Sequence, residues 1–199
     1  MSYPLRNNLG REKMSSEKQF HTADYPSFTM LQSANKLRII ADKEQELHKP
    51  QVLVPSLIMA FTAIEAHVNE LIQLYIDKRP NPSTRKYIEK QMRVAPVDGK
   101  LLLLTKYLTD KTFIWDSPVW QSFLKIKGLR DRLVHYTLQD PKDEEYKKYK
   151  GTFYKDIIHE VDSGMAKKAV ETAKKVMEQL DLFYFEKSWI DYNLHVPTS

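Results

Sequence analysis

The stretch from Leu57 to Tyr75, LIMAFTAIEAHVNELIQLY, determines the fold class of this chain. Its apolar side chains recur at steps of three and four residues, which is the period of an amphipathic α-helix. They are Leu57, Phe61, Ile64, Val68, Leu71, Ile72 and Tyr75. We expect this helix to run from about Gln51 to Lys78, with Pro55 tolerated in its first turn.

The same spacing recurs on both sides of this stretch, with prolines separating the periodic segments. Further helices are expected over Ser27 to His48, after a break at Asn81-Pro82-Ser83 to about Val94, over Val97 to Leu108, over Pro118 to Leu138, and in a last segment capped by Asp162 or Ser163. The best candidate for a strand is the short segment Thr152 to Ile158. The sequence therefore predicts an all-α fold, an up-and-down helical bundle of about five to six helices. We expect a flexible arm over 1–24, a helical domain over 25–190 and a tail over 191–199.

Composition limits the class of protein. The chain has 199 residues, the size of one domain, and no cysteine, which excludes disulfides, thiolate metal sites and a cysteine nucleophile. The longest apolar run, Leu53 to Ile76, carries Glu65, His67 and Glu70, so we do not expect it to span a membrane. Residues 1–10 lack the apolar core of a signal peptide. These features predict a soluble, cytoplasmic protein without a membrane partner.

Positive charge is concentrated in the middle of the chain. The formal net charge is +5, from 31 basic and 26 acidic residues. Between Lys78 and Lys111 there are nine basic and three acidic residues, so this stretch accounts for the whole excess. Such a stripe could bind a phosphate backbone by releasing counterions. A solvated helix face is the alternative interpretation.

The segment Leu129 to Tyr136, LRDRLVHY, places charged side chains on a helix that is otherwise apolar at every third or fourth position. Asp131 and His135 are four residues apart and share a face, with Arg132 beside them. Arg130 and His135 are five residues apart, so their directions differ by about 140° on an ideal helix. A site that needs both side chains could use long side-chain reach, a distorted helix end, or a second copy of the helix across a two-fold axis.

Arginine and histidine together suit one kind of reaction. Arginine binds phosphate oxygens with a planar pair of donors, and histidine transfers protons near neutral pH. Such a pocket could cleave an RNA phosphodiester with the RNA's own 2′-hydroxyl as nucleophile and without a metal. The alternative is that Arg130, Asp131 and Arg132 are solvated helix charges and His135 is an interior histidine.

The pattern Arg130-Asp131-x3-His135-Tyr136 resembles the R-x4–6-H motif of the HEPN family (higher eukaryotes and prokaryotes nucleotide-binding). The segment Ala60 to Ile72 is similar to the long second helix of that family, and Gly99 to Leu104 is similar to its middle helix. Trp120 to Phe123 resembles the lead-in to the motif helix. The resemblance extends over roughly Ser27 to Phe185.

The resemblance implies a helical bundle that dimerises through the motif helices. In active members the paired motifs form a metal-independent endoribonuclease, often of toxin or defence type. By position, Arg130 would hold the phosphate, His135 would transfer protons and Asp131 would support them. Glu65 would be the acidic residue on the neighbouring helix. The family usually has Asn after the motif Arg, and the charge of Asp131 would partly neutralise Arg130.

Some members of the HEPN family are catalytically inactive, so the resemblance is also compatible with a protein that does not cleave RNA. The chain could be a non-catalytic module of the same fold that binds RNA, a nucleotide or a partner protein. It could also be a helical structural subunit in which the motif only stabilises a dimer. The sequence leaves these alternatives open.

Further candidates for RNA contacts lie near the motif and in one loop. Asn69 shares a helix face with Glu65, either in a polar cluster under the motif helix or as a solvent-facing pair. The other candidates are Arg132, Tyr136, Lys147, Lys148 and Lys150. The three lysines alternate with aromatic residues between Tyr146 and Lys155, a mixture that can stack bases or fold back onto the bundle. No zinc-binding spacing and no glycine-rich phosphate loop occurs, so we predict no metal and no cofactor. The expected partners are RNA, a second copy of the chain, and an antitoxin or regulatory protein.

Overall fold

A computed structural model describes residues 25–45, 48–77, 81–135 and 161–185. These residues form six helices and no strand, so the predicted all-α bundle is confirmed. The helices are α1 (Pro26–Ala41), α2 (Lys49–Ile76), α3 (Pro82–Val94), α4 (α-helical Val97–Gly99, π-helical Lys100–Leu104 and α-helical Thr105–Thr109), α5 (Pro118–His135) and α6 (Ser163–Phe185).

Helix α2 is the centre of the bundle. Twelve of its 28 residues are buried, which explains the long apolar pattern of its sequence. Ser27 at the start of α1 bonds to Glu70 near the end of α2, whereas the Ser56 hydroxyl donates to the Ala34 carbonyl at 2.7 Å. Helices α1 and α2 therefore run antiparallel. By length and composition α2 could also cross a membrane, but half of that apolar window is buried in the protein, as in a core helix.

Stacked aromatic rings attach α5 to the rest of the core. The rings of Phe61 on α2 and Phe123 on α5 are nearly parallel, with centroids 5.9 Å apart. Trp120 packs on Phe123 at 5.0 Å and on Phe113 at 5.6 Å. Phe113 in turn meets Phe183 of α6 edge to face at 5.2 Å. These contacts fix the position of α5, the helix that carries the motif.

The expected extent of the first helix was wrong at its C-terminal end. We expected a helix to His48, but α1 ends at Ala41, and Asp42 is its C-cap. Ile40, next to the last residue of α1, is 47% exposed, so this side chain does not pack into the core. Residues 42–45 are all exposed, so no packing against the bundle stabilises a continued helix there.

The fourth helix has the expected position but a different geometry. A π-helical segment, Lys100–Leu104, interrupts α4 where a regular helix was expected. The Thr105 backbone N–H donates to the Lys100 carbonyl, and the Thr105 hydroxyl donates to the same oxygen at 3.1 Å. Single π-helical turns are rare in proteins, and those that occur are often found at functional sites.

The two long C-terminal helices begin where their capping residues predict. Ser117 accepts a bond from the Trp120 backbone N–H at 3.3 Å, and Pro118 opens α5. The Asp162 carboxylate accepts from the Met165 N–H at 2.6 Å, so Asp162 rather than Ser163 caps α6. The predicted end of α5 at Leu138, the arm 1–24, the tail 191–199 and the segments Tyr146 to Lys155 and Thr152 to Ile158 lie outside the described residues.

Candidate functional site

The side chain of Arg130 rests on an aromatic ring. Its guanidinium carbon lies 5.0 Å from the centroid of the Phe61 ring on α2. Phe61 is itself stacked on buried Phe123, so the ring that supports the guanidinium is held in place by the core. A cation over an aromatic face is attracted by the ring quadrupole, so the core fixes the position of Arg130.

Most hydrogen-bond donors of Arg130 have no acceptor within the described part of the chain. Its Nη1 donates to Asp131 Oδ1 at 3.0 Å. Its Nε is buried and has no partner among the described residues. The Arg130 side chain keeps 27% of its surface exposed, so an anion can approach it. A phosphate oxygen could accept from the exposed part of this side chain, whereas the buried Nε lies out of its reach.

Asp131 is held between two cations. Lys127 Nζ contacts Asp131 Oδ2 at 3.1 Å, while Arg130 contacts the other oxygen. Burial raises the pKa of Asp131, but the hydrogen bonds from Arg130 and Lys127 outweigh burial and lower the pKa below its ordinary value. Asp131 is therefore an anion at neutral pH and neutralises part of the positive charge of Arg130.

Glu65 pairs with a buried lysine on α4. Lys100 Nζ donates to Glu65 Oε1 at 3.3 Å. Lys100 is only 4% exposed, whereas the Glu65 side chain is 37% exposed. Lys100 was not predicted as a site residue, although the sequence carries a signal for it. The residue lies on the apolar stripe of α4 beside Val97 and Leu101, and a lysine there must be buried or snorkel.

A single face of α2 connects these groups. Phe61, Glu65 and Asn69 follow one another at four-residue steps, which places them on one stripe of the helix. Arg130 lies on Phe61 and Lys100 pairs with Glu65, one helical turn further on. The four residues from Phe61 to Glu65 rise about 6 Å along the axis. The stripe therefore brings two cations from α4 and α5 to neighbouring turns of α2.

The remaining predicted site residues are distributed unevenly. The Asn69 Oδ1 atom is buried and has no partner within the ranges that the structure describes. Arg132 is exposed on α5. His135 ends α5, and its side chain lies outside the described part of the chain. Tyr136, Lys147, Lys148 and Lys150 also lie outside the described residues.

A second polar cluster, which joins α1, α2 and α6, is buried in the core. His67 Nε2 lies 2.9 Å from Asp181 Oδ1, and His67 Nδ1 lies 3.3 Å from Ser27 Oγ. The Ser27 hydroxyl and backbone N–H both donate to the Glu70 carboxylate. Ser, His and Asp side chains in this order could suggest nucleophilic catalysis. All three are at most 2% exposed, so a substrate cannot reach them and the cluster is structural.

Two carboxylates hold the His67 proton. Burial lowers the pKa of His67, but the hydrogen bonds and charges of Asp181 and Glu70 outweigh it and raise the pKa above 6.5. Burial raises the pKa of Glu70, and its bonds with His67 and Ser27 lower it by more. Asp181 was missed, although it lies four residues after Met177 on the apolar stripe of α6.

Comparisons with family models, with curated proteins and with solved structures gave no match to this chain. The HEPN resemblance therefore stays a prediction. Within the described ranges, no group of three or more His, Asp or Glu side chains is placed to hold a metal ion. That the function needs no metal also remains a prediction.

Proposed function

We propose that this chain is a HEPN-like RNA-processing protein, a metal-independent endoribonuclease of toxin or defence type. Its active site is composite and forms where the α5 helices of two copies meet. The observation that carries the proposal is the placement of Arg130, which is supported by the Phe61 ring and keeps 27% of its side chain exposed, with guanidinium donors that an anion can approach. A phosphodiester is the anion in RNA that matches these donors.

The reaction transfers two protons, one from the attacking 2′-hydroxyl and one to the leaving 5′-oxygen. The 2′-oxygen forms a bond to phosphorus, the bond from phosphorus to the 5′-oxygen breaks, and the products are a 2′,3′-cyclic phosphate and a 5′-hydroxyl. His135 of one copy accepts the 2′-hydroxyl proton, and His135 of the other copy donates a proton to the leaving oxygen. Arg130 stabilises the negative charge that develops on the phosphoryl oxygens.

The spacing of the motif supports a second copy. Arg130 and His135 belong to one regular helix, Pro118–His135, on which five residues correspond to about 140°. Two helices related by a two-fold axis can direct an arginine of one and a histidine of the other at the same phosphate. Glu65 and Asn69 lie on the adjacent α2 stripe, and Glu65 pairs there with Lys100 of α4. These groups would align Arg130 and the RNA backbone.

The test is cleavage of an end-labelled single-stranded RNA in EDTA, with product termini identified by mass spectrometry. The wild type is compared with His135→Ala, Arg130→Ala and a control, His48→Ala, which removes an exposed histidine at the start of α2. We expect the wild type and the control to yield cyclic phosphate products. We expect both motif variants to lose cleavage by about 10²-fold or more while remaining folded.

Two results would contradict the nuclease. One is cleavage that EDTA abolishes, and the other is equal cleavage by His135→Ala. Sedimentation of the wild type at micromolar concentration tests the composite site independently. A strictly monomeric protein that still cleaves would require a site within one chain.

A non-catalytic module of the same fold that binds RNA, a nucleotide or a partner protein is the second candidate, and one observation favours it. Asp131 accepts a hydrogen bond from Arg130 at 3.0 Å and another from Lys127. Its negative charge therefore weakens the attraction of these two cations for a phosphate. RNA binding by the wild type that survives His135→Ala unchanged, without turnover in either protein, would support this candidate.

A further inference from the structure

Helix α3 presents a basic face that also carries an aromatic ring. Lys86, Tyr87, Lys90 and Arg93 are all exposed, and Tyr87 retains 57% of its accessible surface. At 100° per residue the four side chains fall within about 120° of the helix circumference. They form what we call the α3 outer face. It extends for about 10 Å along the axis from Lys86 to Arg93.

The opposite side of α3 attaches the helix to the bundle. Ile88 is 1% exposed and is the buried residue of this helix. Asn81 caps the helix by accepting from the Ser83 and Thr84 backbone N–H groups at 3.0 and 3.3 Å. Arg85 Nη2 contacts Asp77 at the end of α2 at 2.9 Å. The outer face is therefore held in a fixed orientation.

The positive charge of the outer face is not neutralised by its own helix. Glu89, the only carboxylate in the α3 sequence, is bonded to Arg85 at 2.9 Å. Lys86, Lys90 and Arg93 have no ion pair with a described residue, and the Tyr87 ring has no aromatic neighbour among the described residues. A ligand for this face should carry several negative charges and a flat ring.

We propose that the α3 outer face binds single-stranded RNA, with phosphates on Lys86, Lys90 and Arg93 and an unpaired base stacked on Tyr87. This inference rests on the proposed function for the identity of the ligand. Exposed aromatic rings among cations bind single strands because every base has a face that can stack. A duplex keeps its bases stacked inside, so it can use the cations but not the ring.

The experiment is a titration of a fluorescein-labelled oligouridine of about 12 nucleotides, followed by anisotropy, with the full-length chain at roughly 50 to 200 mM salt. The variants are Lys86→Gln/Lys90→Gln/Arg93→Gln, Tyr87→Leu and Tyr87→Phe. The matched control, Lys167→Gln/Lys168→Gln/Lys175→Gln, removes three exposed cations from α6. Each protein is titrated with and without His135→Ala, so that cleavage does not distort the binding curve.

We expect the α3 triple variant to bind about tenfold more weakly and its salt dependence to fall by about 2, because each single-strand phosphate contact contributes about 0.7 to the slope. Tyr87→Leu should bind about tenfold more weakly with an unchanged slope, since stacking involves no counterion. Tyr87→Phe and the α6 control should remain within about twofold of the wild type.

Several results would overturn the inference. Equal losses in the α3 and α6 variants would mean that only net charge matters. Equal affinity for a duplex of the same length would exclude a role for the ring. Binding to phosphatidylserine vesicles but not to oligouridine would indicate a membrane surface. Cleavage in EDTA that is unaffected by the α3 variants would support the nuclease and contradict RNA binding by the α3 outer face. Binding that depends on α3, without any cleavage, would support the α3 outer face and contradict the nuclease.

Discussion

Arg130 on α5 lies over the ring of Phe61 on α2, with 5.0 Å between the guanidinium carbon and the ring centroid. The same arginine donates to Asp131 at 3.0 Å. The orientation of Arg130 therefore depends on a cation–π contact with Phe61 in the core and on an ion pair with Asp131 of its own helix. Each contact can be removed separately, and each removal has a different expected effect on RNA binding.

Replacing Asp131 by Asn should strengthen RNA binding. The amide keeps the size of the side chain but removes the negative charge that offsets Arg130 and Lys127. Because partly exposed charge pairs contribute about 1 kcal/mol, we expect affinity for single-stranded RNA to rise about fivefold at low salt. Anisotropy titration measures the change. Asp116→Asn, which alters an exposed carboxylate before α5, is the control and should change affinity much less. Weaker binding by Asp131→Asn would contradict the proposed role of Arg130.

Replacing Phe61 by Leu should affect both stability and RNA binding. The variant loses the stacking on Phe123 and the aromatic face under Arg130. We expect the unfolding free energy to fall by about 1 to 2 kcal/mol and RNA affinity to fall about threefold. Phe123→Leu is the matched control, because it disrupts the same ring pair without touching Arg130. If both variants reduce RNA affinity equally, the Phe61 ring does not position Arg130.

The buried His67 cluster should make stability depend on pH in two directions. The pKa of His67 is raised above 6.5, so its stabilising contribution is complete below that value and is lost as pH rises through the folded-state pKa. The pKa of Glu70 is lowered from 4.5, so its contribution is present above that value and is lost as pH falls through the folded-state pKa. Thermal unfolding followed by circular dichroism should therefore give the highest midpoint at mildly acidic pH.

The variant His67→Gln tests the alkaline side of that dependence. Glutamine cannot carry the proton, so the decrease of the unfolding midpoint above pH 6.5 should disappear or become much shallower. His48→Ala, at an exposed position, should leave the decrease unchanged. An unaltered pH profile in His67→Gln would assign the dependence to other groups.

Replacing Ile88 by Ala should detach α3 while leaving the rest of the bundle folded. Ile88 is the buried residue of this helix, so its loss removes most of the apolar contact that holds α3. We expect a local cost of about 2 to 4 kcal/mol, seen as loss of amide hydrogen-exchange protection within Pro82–Val94 alone. Ile126→Ala on α5 removes an equally buried side chain and should reduce protection throughout the core. Uniform loss in both variants would mean that α3 does not open independently.

Much of the architecture could be predicted from the sequence because it depends on local chemistry. The period of apolar residues around Phe61 predicts α2, since a helix must bury one stripe. Ser117 and Asp162 mark the starts of α5 and α6 because their oxygens satisfy the first backbone N–H groups. The end of α1 was missed because the exposure of Ile40 depends on which neighbours the helix meets.

The arrangement of the candidate site was decided by tertiary structure. The sequence by itself placed Arg130 and Asp131 on one helix and Glu65 on another, because helix type and face follow from residue spacing. Three contacts could not be predicted from the sequence: the pair of Glu65 with Lys100, the position of Arg130 over Phe61, and the hydrogen bond between His67 and Asp181. Those contacts join residues distant in the chain, and only the packing of the helices brings the partners together and reduces their access to water.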